Sequence, residues 1–142
     1  MSLLVIGYGN ELLGDDGVGP RVARAVEAWA LPDVSAVAAH GLTPELAEAI
    51  GRAGAVVFVD ARIGGEAVEV TELAPGPAPR LGHASEPCWL LALAEAVGGR
   101  APPAWLITVP GEDFGHGEGL SGRAAEGMAA ALERIRELAR RR

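Results

Sequence analysis

An α/β fold is what this sequence predicts: three layers, α/β/α, around a five-stranded, mostly parallel mixed sheet. Three observations carry that expectation. Short runs of Val, Ile and Leu alternate with helix-period stretches in the order β-α-β-α-β-β-α-β-α, the pattern of a sheet covered on both faces. The run "AVVFVD" (55–60) is rich in β-branched and aromatic residues, as suits a strand buried on both sides. "EAVEVTEL" (66–73) instead alternates polar and apolar, which suits a half-exposed edge strand and permits one antiparallel pairing.

The elements follow in order. "LLVIG" (3–7) is a short apolar run closed by Gly, a buried strand. Val18, Val22 and Val26 with Trp29 mark one face of a helix to about Ala30, which "LPD" ends. "VSAVAA" (34–39) is the second strand. "TPELAEAIGRA" (43–53) predicts a helix with Thr43 as N-cap and Pro44 in its first turn. After the strands at 55–60 and 66–73 comes a Pro- and Gly-rich loop, 74–87. A helix over 87–97, a strand over 104–110, a Gly-rich loop over 111–122 and an amphipathic helix to Arg142 complete the chain. No repeat or linker interrupts it, so residues 1–142 read as a single domain.

Composition narrows the function. Nearly half of the 142 residues are apolar, which excludes a mostly disordered chain. All twelve basic residues are Arg, the formal charge is −7, and no basic cluster offers a nucleic-acid surface. The terminal "RRR" (140–142) complements a helix C-terminus. No apolar run reaches the roughly 18–20 residues of a membrane span, and the N-terminus lacks a basic leader region. The lone Cys88 allows no internal disulfide, which makes a reducing cytoplasm the expected compartment. Size and charge are compatible with a monomer.

The most informative stretch is "GYGNELLGDDGVG" (7–19). Gly7 and Gly9 fit the start of a dinucleotide fingerprint, but position 12 is Leu, and Asp15 and Asp16 would repel a pyrophosphate. One Asp suffices to cap a helix starting near Gly17, and Asp15 is assigned that role. Asp16 is then a surplus charge that needs a cation or a positive substrate group to answer it. Asp60 closes the strand at 55–60. In a sheet of this class the ligand crevice lies beyond the C-terminal strand ends, where the strand order reverses. Strands one and three are the expected neighbours there, which brings Asp16, Asn10 and Asp60 to one crevice.

His83 precedes a helix, His40 follows strand two and His116 lies in a Gly-rich loop. One imidazole with two carboxylates makes a mixed nitrogen–oxygen metal site. Cys88 is expected to be buried and inert on its apolar helix. "GLSG" is not a nucleophile elbow.

"GYGNELLGDDGVGPRV" resembles the opening motif of the nickel–iron hydrogenase maturation endopeptidases, G-x-G-N-x-L-x-x-D-[DE]-G-x-G. "VVFVDA", "GHASEPCWLLALA" and "GEDFGHGEGLS" are similar to that family's later motifs, in the same order, over residues 3 to about 135. The resemblance implies a phosphorylase/hydrolase-like fold. It also implies an endopeptidase that removes the C-terminal extension of a nickel-loaded [NiFe]-hydrogenase large-subunit precursor, a protein partner that brings the nickel with it. It implies Asp16, Asp60 and His83 as the metal-contacting and catalytic residues, Gly9, Asn10 and Asp15 as the supporting loop, and no organic cofactor. "LG" stands before His83 in place of a Ser-rich lead-in, so His40 is kept as the alternative imidazole. A non-proteolytic nickel chaperone or scaffold on the same fold, and a small metallohydrolase of other substrate, are the competing functions.

Overall fold

The computed structural model describes residues 2–76 and 85–141. Five strands are formed: β1 Leu3–Tyr8, β2 Val34–Ala39, β3 Ala55–Ile63, β4 Glu69–Leu73 and β5 Ala104–Gly111. The helices are α1 Val18–Ala28, α2 Leu46–Arg52, α3 Ser85–Gly98 and α4 Gly122–Arg140, with a short 3₁₀ turn at Gly14–Gly17 ahead of α1. The sheet order is β2-β1-β3-β5-β4, parallel except for β4, which runs antiparallel to β5. This is the mixed sheet that the alternation in "EAVEVTEL" anticipates, with the ladder covering only its last five residues.

Strand periodicity divides the core into two layers. Leu3, Val5, Val57, Val59 and Ile107 pack against Val22 of α1 and Ile135 of α4. Leu4, Ile6, Tyr8, Val56, Phe58 and Leu106 face the opposite way, against Ile50 of α2 and Leu90 and Leu91 of α3. Residues alternate between faces along each strand, and in β1, β3 and β5 both faces are covered, so these three are nearly all apolar.

α1 lies unusually close to the sheet, because Gly7 and Gly19 meet without side chains. A Cβ on Gly7 would stand 1.9 Å from the Gly19 carbonyl oxygen, and one on Gly19 would stand 2.4 Å from the Tyr8 carbonyl oxygen. Gly7 is therefore spent on helix–strand packing, which is a separate use from the phosphate turn of a dinucleotide fingerprint.

Other boundaries differ from expectation too, two of them for a visible reason. Strand β3 continues to Ile63, because β5 extends beside it and pairs Asp60 with Thr108 and Ile63 with Gly111. Helix α2 begins at Leu46, with Glu45 at the cap position and no side-chain cap bond. Thr43 and Pro44 form a tight turn instead, their carbonyls accepting from Leu46 and Ala47. Among the described residues no helix is long and apolar enough to cross a membrane.

Candidate active site

The order of strands reverses between β1 and β3, since the chain leaves β1 for β2 on one side and returns to β3 on the other. The crevice at the C-terminal ends of β1 and β3 is where such a sheet binds ligands. β1 stops pairing with β3 at the Gly7–Val59 pair, one residue before Asp60. Asp60 thus lies inside β3 rather than at its end, but at the point where β3 outgrows its neighbour.

The loop after β1 carries Gly9, Asn10, Asp15 and Asp16. Gly9 adopts φ +146, and a Cβ there would stand 1.9 Å from the Asp16 carbonyl oxygen, so only glycine fits. This close approach brings the Asp16 carboxylate onto the loop: its Oδ2 accepts the Asn10 N–H at 2.7 Å. The Asn10 side chain accepts the Leu12 N–H at 2.9 Å, a local turn that no other carboxamide in the chain is present to make. Asp16 remains half-buried.

Asp15 points the other way. It is completely buried, and it does not cap α1: Gly17 takes the cap position without a side-chain bond. Its Oδ2 accepts the N–H groups of Glu112 and Asp113, at 2.8 and 3.0 Å, and the Ser121 hydroxyl at 2.6 Å. Oδ1 accepts the Ser121 N–H at 2.8 Å. Burial pushes this carboxyl up, but the Ser121 hydroxyl and the three N–H donors outweigh it and hold the group below its ordinary range. The two adjacent aspartates therefore divide the work. Asp15 fastens the loop after β5 to the loop after β1, and Asp16 turns back onto the loop after β1 at Asn10. A short parallel bridge, Leu13 to Gly117, closes the same junction.

Tyr8 is the site residue that sequence reasoning missed. It ends β1 on the same face as Phe58, and its hydroxyl donates to the Asp60 carboxylate. Burial, then the charges of Asp60 and Glu86, push the phenol far above its ordinary range, so it stays a protonated donor. The available signal was its parity, since an even-numbered residue on β1 shares the face of even-numbered Asp60 on β3. Ser121 offered no such signal.

The remaining candidates are scattered. His83 lies outside the described residues. His40 is exposed and lines a hollow of about 310 Å³ with Gly9, Asn10, Arg24 and Ala38. His116 is exposed on the loop that Asp15 holds. Cys88, expected to be buried, is half-buried. Among the described residues no three His, Cys, Asp or Glu side chains are grouped closely enough to hold a metal ion, so His40 does not complete a triad with Asp16 and Asp60.

No protein-family model and no curated protein matches the chain. Solved structures do. The chain is similar to the hydrogenase maturating endopeptidase HybD from E. coli, with a TM-score of 0.80, 19% identity, and 99% of this chain and 93% of that one covered. It is similar to the [NiFe] hydrogenase maturation protease HybD from Thermococcus kodakarensis, with a TM-score of 0.74, 19% identity, and 97% and 99% covered. The [NiFe] hydrogenase maturation protease HycI from Thermococcus kodakarensis KOD1 is 27% identical, with a TM-score of 0.71 and 96% and 90% covered. The chain shares the fold of these solved hydrogenase maturation endopeptidases over nearly its whole length.

Two half-buried carboxylates, Asp16 and Asp60, come from different segments, each set by a hydrogen bond from β1 or the loop that follows it. Glu86, at the start of α3, adds negative charge beside Tyr8. Negative charge at these positions disfavours a phosphate, for the reason that excluded a dinucleotide.

Proposed function

We propose that this protein is an endopeptidase that removes the C-terminal extension from a nickel-loaded [NiFe]-hydrogenase large-subunit precursor. The observation that carries the proposal is the division of labour between Asp15 and Asp16. It leaves Asp16 free of the Asp15 network, on the loop after β1, in a fold shared with solved structures named as hydrogenase maturation proteases.

Nickel enters as part of the substrate. Asp16 and Asp60 supply two oxygen donors, and His83, by its motif, supplies an imidazole. That set suits a divalent ion of borderline softness and leaves positions for the precursor's own ligands. The protein side of the reaction is then recognition: the crevice accepts a precursor whose metal answers its negative charge. An ion held there would polarise a scissile carbonyl or orient water. We assign the protein to the cytoplasm, as a monomer.

The deciding experiment measures the intact mass of the cognate precursor, nickel-loaded and nickel-free, before and after incubation. Loss of a C-terminal tail from the loaded form alone, abolished by Asp16→Asn, is the expected result. A loaded precursor that binds this protein and keeps its mass supports a nickel chaperone or scaffold instead.

A further inference from the structure

The two edges of the sheet are built differently. β4, "EVTEL", carries Glu69 and Glu72, the charges by which edge strands usually resist pairing with other chains. β2, "VSAVAA", forms the other edge over six residues with no charge at all. Its bonds to β1 fix which groups it exposes. Leu3 donates to the Asp33 carbonyl and Gly9 to the Ala39 carbonyl, so the odd-numbered residues of β2 face β1. The N–H and C=O of Ala36 and Ala38 therefore point outward from the sheet.

Three hollows border this edge. One of about 310 Å³ lies at its C-terminal end, where Ala38, Ala39 and His40 meet Gly9 and Asn10 of the candidate site. One of about 200 Å³ lies on the α2 side, with Ser35, Ala49 and Arg52. One of about 320 Å³ lies at its N-terminal end, where Leu31, Asp33 and Val34 meet Arg136 and Arg140 of α4, two guanidiniums against one carboxylate. A strand added to β2 would send alternate side chains to the two faces, where these hollows lie.

The geometry points to β2 as the docking strand for the extended tail of the protein substrate, running antiparallel to it. This rests on the endopeptidase reading and specifies how that enzyme holds its substrate. β2 runs toward the crevice, so an antiparallel tail begins at His40 and Asn10, beside the cleavage site, and runs away from it. The six residues of β2 span roughly 20 Å. The far end of the tail arrives at Arg136 and Arg140, whose guanidiniums suit a carboxylate. A tail in this polarity leaves the scissile bond at the crevice and the removed segment on the edge.

Cleavage of the nickel-loaded cognate precursor is followed by intact mass over a range of concentrations, for the wild type, Ala36→Pro and Arg140→Glu. Proline at Ala36 deletes an outward N–H at an edge position where proline is tolerated. Each variant is expected to raise KM about three- to tenfold, the worth of one lost hydrogen bond, with kcat within about twofold. In Asp16→Asn, hydrogen exchange at the Ala36 and Ala38 amides is expected to slow when loaded precursor is added. That measurement decides the matter even if Ala36→Pro folds poorly. Unchanged KM in both folded variants, or unchanged exchange with precursor bound, overturns strand addition while leaving the endopeptidase reading in place. A wild type that leaves loaded precursor uncut overturns both. A dimer that Ala36→Pro dissolves at unchanged KM assigns the edge to a second copy and overturns the proposal.

Discussion

The Asp15 carboxylate receives both the hydroxyl and the backbone N–H of Ser121, at 2.6 and 2.8 Å, across 106 residues of sequence. Ser121 in turn caps α4, its hydroxyl oxygen accepting the Ala124 N–H at 3.2 Å. One buried group thus ties the loop after β1, the loop after β5 and the start of the last helix together. Asp15→Ala leaves four donors facing a cavity and is expected to cost about 3 kcal/mol. Ser121→Ala removes one donor and a cap, for about 1–2 kcal/mol. Urea unfolding of the singles and the double variant checks both values, and the double is expected to fall short of their sum because the two residues share one network.

Acid should weaken the same junction. The Asp15 carboxyl is held below its ordinary 3.8, so the folded state favours its charged form. Its contribution is fully present above the unfolded value and is lost as pH falls through the folded one. Unfolding free energy is therefore expected to decline below about pH 4, more steeply in the wild type than in Asp15→Asn, which has no proton to take up at this position. A pH series of urea midpoints for the two proteins measures the difference. Parallel curves would contradict the assignment.

Tyr8 is the chain's only tyrosine, so tyrosinate absorbance reports on it alone. Burial and the neighbouring Asp60 and Glu86 raise its phenol well past the ordinary 10.0. No tyrosinate signal is expected near that value while the protein stays folded, and the signal should appear together with alkaline unfolding. Titration at an ordinary value in the folded protein would remove the Tyr8–Asp60 contact from the site.

Tyr8→Phe keeps the ring packed among Leu4, Ile6 and Phe58 and deletes the donor to Asp60. The expected stability change is about 1 kcal/mol. If the hydroxyl orients Asp60 for the reaction, precursor cleavage slows through kcat with KM little changed. Single-turnover mass analysis separates that outcome from a purely structural role, which would leave kcat intact.

Gly9→Ala is expected to destabilise by about 3 kcal/mol or more, since its Cβ would meet the Asp16 carbonyl oxygen and its φ of +146 disfavours any side chain. Gly98, near the end of α3, has open space at its Cβ position and serves as the control. Thermal unfolding of Gly9→Ala against Gly98→Ala tests whether the penalty is local to the crevice loop.

The alternation of strands and helices, the parallel pairing of β1 with β3 and the mixed edge at β4 were legible in the sequence. Each rests on local periodicity: "AVVFVD" can satisfy its apolar side chains only where both faces are covered, and "EAVEVTEL" only where one is not. The crevice loop was legible for a related reason, since "GYGNELLGDDGVG" holds its glycines, its single carboxamide and its paired acids within thirteen residues. Other features depended on partners far away in the chain. Asp15 reads locally as a helix cap, and only the approach of residues 112–121 turns its carboxylate to four donors that outcompete the helix end. β3 runs past Asp60 because β5 is long enough to pair with it, which nothing in "ARI" at 61–63 requires. Tyr8 meets Asp60 only because β1 and β3 are paired in the register Gly7–Val59. Periodicity belongs to a segment and survives in its sequence, whereas a hydrogen bond between segments exists only once the sheet has set their register.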